Sequence, residues 1–334
     1  MYAALTLSTL LLISTLFSSS HAACNKQDEA ALLAFKNSFL YTTLKWPQPA
    51  DCCSWDHVGC DSSNGRVVSL SFENDNNIPE SIFLNGSIPS SVGDLSSLET
   101  LSFKRITSLV GPVPPQLSKL KKLRSLQIYV TRVSGPVPSF LSQLASLQQL
   151  ELGANAFSGA IPPSLGDLAR LTDLNMFGNQ LTGPIPASLF SKLPIGSLAT
   201  LVLSANKLTG TIPRSFADVA FTALYLQHNS LNGDASFLFG KSKPLSQIDL
   251  ASNRLAFDLS RTEFPLNMNV MDISNNKIYG SIPSQITELP NLSFIDVSYN
   301  RLCGKIPSGG NVNFSSQSYV HNKCLCGAPL QPCK

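Results

Sequence analysis

The chain has 334 residues, of which 43% are hydrophobic and only 13% charged, with a formal net charge of +3. This composition excludes nucleic-acid binding by bulk charge, because phosphate backbones are held by many Lys and Arg side chains. Length alone suggests about two domains. A solenoid lengthens by adding repeats, however, so the number of its domains cannot be estimated from its length.

Residues 1–22 are predicted to be a secretory signal peptide. Residues 5–17 form an apolar run of the right length, and Ser20, His21 and Ala22 place small residues at the cleavage site. The run is shorter than the roughly 20 residues of a membrane span, and no later segment is apolar enough to span. We therefore expect a secreted protein of the extracellular space, with no membrane span.

The eight cysteines fall into two groups at the ends of the chain, which indicates a disulfide framework in an oxidising compartment. They are Cys24, Cys52, Cys53 and Cys60, then Cys303, Cys324, Cys326 and Cys333. A bridge between the neighbours Cys52 and Cys53 would be strained. This favours Cys24–Cys52 with Cys53–Cys60, and the same spacing favours Cys303–Cys324 with Cys326–Cys333. Since Cys324-x-Cys326 lacks further ligands nearby, we expect no metal and no cofactor.

Residues 23–64 are predicted to form a cysteine-rich N-terminal cap. Within residues 28–40 a helical spacing of apolar side chains predicts one helix that covers the first repeat. Those side chains are Leu32, Leu33, Phe35, Phe39 and Leu40. Trp46 and Trp55 are expected to fill the same cap.

Residues 65–308 carry ten copies of one pattern with a period of about 24 residues. Its full form, L-x-x-L-x-L-x-x-N-x-L, is the signature of a leucine-rich repeat. Eight of the ten copies continue as Gly-x-Ile-Pro or Gly-x-Val-Pro. The pattern predicts an α/β solenoid: a right-handed leucine-rich-repeat superhelix with a parallel concave β-sheet. A second cysteine-rich cap, residues 309–334, is expected to close it.

In each copy, Leu-x-Leu predicts a short strand whose leucines point inward while their neighbours point outward. Ten such strands at about 4.8 Å spacing span roughly 43 Å, enough for a whole protein domain. An Asn column follows the strands and is predicted to be structural, because amide side chains can satisfy backbone groups where the sheet ends. The column is Asn155, Asn179, Asn206, Asn229, Asn253, Asn276 and Asn300.

Two further features are local. Residues 73–82 lengthen the first repeat and are expected to form a loop. Asn85, Asn291 and Asn313 each begin an Asn-x-Ser acceptor, which predicts three glycosylation sites on a secreted chain.

From Cys24 onward the chain resembles the plant polygalacturonase-inhibiting proteins. The resemblance is carried by Asp51-Cys52-Cys53-Ser54-Trp55, by the ten repeats of the L-T/S-G-x-I-P type, eight of which keep Gly-x-Ile-Pro or Gly-x-Val-Pro, and by the tail segments 298–304 and 324–329. It implies a secreted protein of the plant cell wall that binds fungal or insect endo-polygalacturonases and blocks pectin cleavage in defence. It also implies association with pectin itself, the polyanion homogalacturonan.

The candidate partner-binding residues flank the inward leucines on the concave face. They are Gln127, Tyr129, Gln149, Glu151, Asn175, Phe177, Val202, Ser204, Tyr225, Gln227, His228, Asp249 and Asp272. Exposed aromatics among them are typical of binding hot spots. The alternative is that individual members only cover the sheet.

Residues 100–150 contain seven basic side chains and no acidic one. Such a region attracts a polyanion with salt-sensitive affinity. Lys104, Arg105 and Arg124 are the candidate pectin-binding residues on the concave side. A plain solvated surface is the competing interpretation.

Three aspartates, Asp249, Asp272 and Asp296, follow one another on consecutive strands, as paired carboxylates do in glycosidases. Crowding is expected to raise at least one pKa. The face is open to water, however, so we expect a binding protein without catalytic residues.

Two other binding functions compete with inhibition. The chain is alternatively a secreted module that contacts receptor ectodomains in plant development or signalling. Ice binding needs a flat, regular array of Thr or Asn, whereas the central residues of the concave strands vary too much for one.

Overall fold

The computed structural model describes residues 22–75, 82–310 and 314–334. Nearly all of the predicted signal peptide, most of the loop predicted within residues 73–82, and Asn313 therefore lie outside the described residues. Within the described chain, no helix is long and apolar enough to cross a membrane.

The N-terminal cap is built on one α-helix, Lys26–Asn37, whose first turn is capped by the Asn25 side chain. Leu32 and Phe35 are fully buried under this helix. The predicted apolar stripe is wrong at one position, since the helix ends before Leu40 and leaves that side chain 88% exposed.

The two tryptophans fill the cap as predicted. Trp46 and Trp55 stack with ring centroids 5.2 Å apart, and both are buried. Each indole N–H donates to a backbone carbonyl, that of Asp56 for Trp46 and that of Pro47 for Trp55. A buried indole N–H without a partner would be costly, so these bonds fix the two rings in place.

A buried ion pair joins the cap helix to the first repeat. Asp28 is fully buried and accepts from Arg66 Nε at 2.8 Å, Arg66 Nη2 at 3.0 Å and the backbone N–H of Val67 at 2.9 Å. Hydrogen bonding to Asp28 is the main cause of a raised pKa for the Arg66 guanidinium. The carboxylate thus accepts a hydrogen bond from the first backbone N–H of the first strand of the solenoid.

The predicted concave sheet is confirmed, with ten parallel strands, one from each repeat, and one antiparallel strand of the cap, Val58–Cys60, at its edge. The ten strands, called rungs below, are Val67–Glu73, Thr100–Lys104, Ser125–Tyr129, Gln149–Glu151, Asp173–Asn175, Leu198–Val202, Ala220–Tyr225, Gln247–Asp249, Val270–Asp272 and Phe294–Asp296. The inward residue at the centre of each rung is buried, as the alternation of a strand requires; it is leucine in the first seven rungs and Ile248, Met271 and Ile295 in the last three.

A second parallel sheet, which the sequence analysis did not predict, forms after each rung where the chain turns. Its seven strands are Val110–Gly111, Arg132–Pro136, Ala156–Ala160, Gln180–Pro184, Lys207–Thr211, Ser230–Gly233 and Arg254–Leu255. Three more strands continue the series as a separate sheet into the C-terminal cap: Tyr279–Gly280, Arg301–Lys305 and Cys324–Cys326. A short antiparallel pair, Tyr41–Thr42 with Leu84–Asn85, lies at the opposite end.

The helical part of the repeats consists of 3-10 turns. They span Ser90–Asp94, Pro115–Lys119, Ser139–Gln143, Pro163–Asp167, Arg214–Asp218, Ser236–Leu238, Leu259–Arg261 and Ser284–Glu288. Two more, Cys52–Ser54 and Ser316–Ser318, belong to the caps. Proline precedes most of the repeat turns and supplies an extended entry to each.

The predicted Asn column forms a continuous hydrogen-bonded ladder. Asn253 is typical: its Nδ2 donates to the carbonyls of Leu226, Leu250 and Ala251, and its Oδ1 accepts from Leu231. The ladder extends one residue further than predicted, to Asn322 in the C-terminal cap. Asn322 donates to Val297 and Tyr319 and accepts from the N–H of Leu302.

All four disulfides have the predicted partners, Cys24–Cys52 and Cys53–Cys60 at one end, Cys303–Cys324 and Cys326–Cys333 at the other. Cys24, Cys52 and Cys53 also lie near Asp51 as a metal site would require. Because Cys24 is bonded to Cys52 and Cys53 to Cys60, these sulfurs offer no thiolate ligand.

Candidate binding surfaces

The central outward residue of each rung lies in register with its counterparts on the neighbouring rungs. We call this column the concave strip. From the third rung to the tenth it contains Gln127, Glu151, Asn175, Val202, Tyr225, Asp249, Asp272 and Asp296, all partly exposed. Its outward side chains therefore form one continuous surface.

Amide side chains order the N-terminal part of the concave strip. Gln127 Nε2 donates to Gln149 Oε1 at 2.8 Å, while Gln127 Oε1 accepts from Ser102 at 3.1 Å. Ser125 donates to the same Gln149 oxygen at 2.9 Å. These bonds hold both glutamines in one arrangement before any partner arrives, which lowers the entropy cost of binding.

The centre of the concave face contains an acid of the strip, Glu151, and an aromatic ring outside the strip, Phe177. Burial raises the pKa of Glu151, and the positive charge of Lys104 partly opposes that rise. Asn175 Oδ1 accepts from the N–H of Phe177 at 3.0 Å, and the Phe177 ring is 38% exposed. An exposed ring held by its own backbone is suited to anchor a partner.

A glycine shapes the neighbouring surface. A Cβ at Gly153 would lie 3.1 Å from the ring of Tyr129 and 3.2 Å from Asn175 Oδ1. The missing side chain therefore leaves room for the Tyr129 ring beside the concave strip.

Tyr225 begins the C-terminal half of the concave strip. Its hydroxyl donates a short hydrogen bond to Gln247 Oε1 on the next rung. Burial, and secondarily the charge of Asp249, raises the pKa of Tyr225. The phenol is therefore a fixed neutral group at the centre of the face.

The three aspartates on consecutive rungs serve the backbone. Each carboxylate accepts from the N–H two residues later, at 3.0 Å from Ala251, 2.9 Å from Ser274 and 2.8 Å from Ser298. Asn175 makes the same bond with an amide oxygen, so the contact does not need a charge. This geometry explains the aspartates without a catalytic role.

The expected rise in pKa is present, but its main cause is burial. Burial raises the pKa of Asp249 to about 6 and also raises that of Asp272. The neighbouring carboxylates add a smaller upward effect, and His228 opposes it.

One candidate partner-binding residue is wrong as an exposed contact. Ser204, which follows the rung Leu198–Val202, is only 2% exposed. His228 is exposed, with a left-handed φ of 56°. Gln227 is half-buried, and its Oε1 has no hydrogen-bond partner within the described residues.

The structure does not bring the three candidate pectin-binding residues into one site. Lys104 is the last residue of its rung, whereas Arg124 precedes the first residue of the next rung, so the two lie at opposite ends of neighbouring strands. Arg105 is paired with Glu73 at 2.8 Å, and Arg124 with Glu99 at 3.1 Å. The acids come from the preceding repeat, which a count over residues 100–150 misses.

A different group of cations forms an unpaired column. On four consecutive turns the residue after the ladder asparagine is basic and exposed: Arg254, Lys277, Arg301 and Lys323. We call this the basic column. No described acid forms an ion pair with any of the four. Four turns at about 4.8 Å spacing cover roughly 14 Å.

The sequence contains the signal for this column. Each member stands directly after an Asn of the predicted ladder, as Asn-Arg, Asn-Lys, Asn-Arg and Asn-Lys. The column is not visible as a cluster of charges along the sequence. It becomes visible when the basic residues are compared by their position within the repeat.

Fold and surfaces together define a plant-type leucine-rich-repeat protein with disulfide-bonded caps and an open concave face. Residues 25–61 match the leucine rich repeat N-terminal domain, and residues 170–191 and 197–219 match the Leucine Rich Repeat model. A solved plant ice-binding protein has a similar fold, with a TM-score of 0.87 and 42% identity, covering 93% of this chain and 99% of that one.

Two relatives identify the family. The chain is 51% identical over 332 residues to a polygalacturonase inhibitor of Pyrus communis, covering 98% of this chain and 97% of that protein. It is 47% identical over 316 residues to polygalacturonase inhibitor 1 of Arabidopsis thaliana, covering 93% of each. The chain belongs to the polygalacturonase-inhibitor family, as the sequence resemblance predicted.

Proposed function

We propose that this protein inhibits fungal or insect endo-polygalacturonases by binding them with the concave strip. Its relatives bear that activity in their names, and the observation that carries the proposal is the in-register, partly exposed strip itself. A typical stable interface buries about 800 Å² on each partner, which a sheet roughly 43 Å wide can supply.

Inhibition on this proposal is occlusion and needs no chemistry from the inhibitor. The exposed ring of Phe177 and the fixed phenol of Tyr225 would anchor the enzyme, with ordered glutamines and carboxylates around them. Such a cluster of rigid aromatics ringed by polar groups is where binding energy concentrates. The enzyme would be held with its substrate cleft covered.

The test is a titration of the purified protein against a panel of fungal and insect endo-polygalacturonases. Phe177→Ala combined with Tyr225→Ala should raise the inhibition constant by roughly 100-fold for a sensitive enzyme, as expected for two hot-spot residues. Tyr279→Ala is the matched control, since Tyr279 is a half-exposed aromatic outside the concave sheet. It should leave inhibition unchanged. Absence of inhibition and of any complex across the whole panel would refute the proposal.

A second binding activity, for non-esterified pectin, is favoured by the basic column. Four exposed cations, one on each turn and none paired with an acid in the described part of the chain, suit a homogalacturonan chain with a carboxylate on each sugar. Lys104, Arg105 and Arg124 fit this role less well because two of them are already paired. Binding would weaken with salt.

We place the protein in the plant cell wall. Four disulfides suit an oxidising compartment, and a signal peptide over residues 1–22 would deliver the chain there. A pull-down from pathogen-treated cell-wall extract separates the two candidate roles. Recovery of a polygalacturonase supports inhibition, whereas recovery of a receptor ectodomain in its place would favour signalling.

A further inference from the structure

We propose that Tyr299 and His321 form a stacking subsite for a uronic acid ring beside the C-terminal end of the basic column. The two rings stack with centroids 4.2 Å apart and an angle of 23° between their planes. Tyr299 is 50% exposed and His321 is also exposed. Each ring covers one face of the other, and the exposed remainder of the pair lies at the C-terminal end of the solenoid.

The rings and the cations flank the same two ladder residues. Tyr299 precedes the buried Asn300 and Arg301 follows it. One turn later, His321 precedes Asn322 and Lys323 follows it. Each turn therefore presents one ring and one cation on either side of a ladder asparagine, and two successive turns place the two pairs side by side.

Backbone bonds hold this arrangement rigid. The N–H of Tyr299 donates to the carbonyl of Val320 at 3.0 Å, and the N–H of Leu302 donates to Asn322 Oδ1 at 3.0 Å. The Cys303–Cys324 disulfide joins the same two turns, with Cα atoms 4.3 Å apart. A preformed site loses little entropy when a ligand binds.

Backbone preference does not account for the two rings. Both residues have left-handed φ angles, 53° for Tyr299 and 58° for His321, a conformation that favours Gly or Asn over bulky side chains. The equivalent position of the preceding turn holds Asn275, with φ 54°. Other turns hold Val130, Ala154 or Ser252 at this position, so the turn itself does not require a ring.

The chemistry of the subsite fits a non-esterified polyuronide. The C–H groups on one face of a pyranose carry partial positive charge and pack against the negative face of an aromatic ring. Its carboxylate would then pair with the guanidinium of Arg301, a charge-assisted and bidentate contact. Lys323 would contribute a second cation to the next sugar. The inference rests on the proposed pectin binding and adds to it a contact that salt does not screen.

The test compares binding of a defined-length, non-esterified oligogalacturonide by calorimetry. Tyr299→Asn combined with His321→Asn keeps residues that tolerate the left-handed backbone. Affinity should fall roughly tenfold, the size of one lost stacking contact, with the salt dependence unchanged. Val130→Asn, at the equivalent left-handed position of the third turn, is the matched control and should bind like the wild type.

The outcomes separate the two proposals. If the wild type binds no oligogalacturonide, pectin binding fails and the subsite fails with it. If the wild type binds and the Tyr299/His321 variant binds equally well, only the subsite is overturned. Denaturation of the variant provides the remaining check, since a loss of stability with unchanged affinity assigns the rings to cap packing and refutes the inference. Shifts of the His321 ring resonances on titration with the oligogalacturonide are expected.

Discussion

Basic side chains near the N-terminal end of the solenoid are paired with acids, whereas those of the basic column near the C-terminal end have no described acidic partner. Near the N-terminus, the pairs Arg105–Glu73, Lys119–Asp94 and Arg124–Glu99 each link a repeat to the one before it. Near the C-terminus, the basic column stacks cation beside cation with no described acid in pairing distance. Paired charges join neighbouring turns, whereas an unpaired column of like charges repels itself until a polyanion neutralises it.

The position of a basic residue within the repeat, and not the density of basic residues along the chain, decides whether it meets an acidic partner. Seven basic residues in a short segment suggest a polyanion site, yet they are distributed over different faces and partly neutralised. Four basic residues spread over about 70 residues of sequence become neighbours, because each turn of the solenoid returns to the same place.

The largest expected effect concerns the buried pair at the N-terminal end. Asp28→Ala should lower the free energy of unfolding by about 3–5 kcal/mol, because it leaves the Arg66 charge and the Val67 N–H without their acceptor. Chemical denaturation measures this. Asp94→Ala, which removes an exposed pair with Lys119, is the control and should have little effect. Equal losses in the two variants would contradict the assigned difference between buried and exposed pairs.

The next largest loss of stability is expected for the asparagine ladder. Asn300→Ala should lower the free energy of unfolding by about 2–3 kcal/mol. It removes the side-chain donor to the carbonyls of Ile273, Val297 and Ser298, and it leaves the N–H of Ile278 without its acceptor. The third turn has Thr131 at the equivalent place, and Thr131→Ala should cost only about 1 kcal/mol. A thermal or denaturant series gives both values. The ladder would not be the stabilising element if the threonine variant were the less stable of the two.

The next prediction compares the contributions of the two groups of cations to polygalacturonate binding. Changing Arg254, Lys277 and Arg301 together to Gln should weaken binding to polygalacturonate at low salt by roughly 30-fold and flatten its salt dependence. The matched control is the triple Gln variant of Lys104, Arg105 and Arg124, which should stay within about threefold of the wild type. Retention on a polygalacturonate column is the measurement. The reverse ranking would return the pectin site to the N-terminal cluster.

The smallest effect comes from Asp249. Its pKa is raised by burial from 3.8 to about 6 in the folded state, so folding favours the protonated form. The associated stability is complete below about pH 4 and is lost as the pH rises through 6. Asp249→Asn keeps an acceptor for the Ala251 N–H, as Asn175 does for Phe177. The variant should gain about 1 kcal/mol at pH 7 and nothing at pH 4. A gain that is independent of pH would exclude this explanation.

Periodicity made much of this molecule predictable. The ten rungs, the inward leucines, the Asn ladder and the disulfide pairing all follow from a pattern that repeats at fixed spacing, because stacked copies must place equivalent residues in one column. The pattern failed where a neighbour decides the outcome. Leu40 lies beyond the end of its helix, and Ser204 is buried although its position in the repeat predicts exposure.

The second sheet and the ion pairs escaped prediction for a related reason. Neither is encoded within one repeat: the sheet forms only when successive turns align their Gly-containing segments, and the pairs join residues 25 to 32 positions apart. The rise in the pKa of Asp249 was anticipated, but its origin in burial depends on packing that a sequence does not specify.

The extension of the ladder to Asn322 changes what the C-terminal segment is. Its side chain completes the hydrogen bonds of Val297 and Leu302 in the tenth turn, so the last repeat is unfinished until the tail has folded onto it. The tail therefore acts as one more turn of the coil. Cleaving it off would unravel the end of the structure and not merely uncover it.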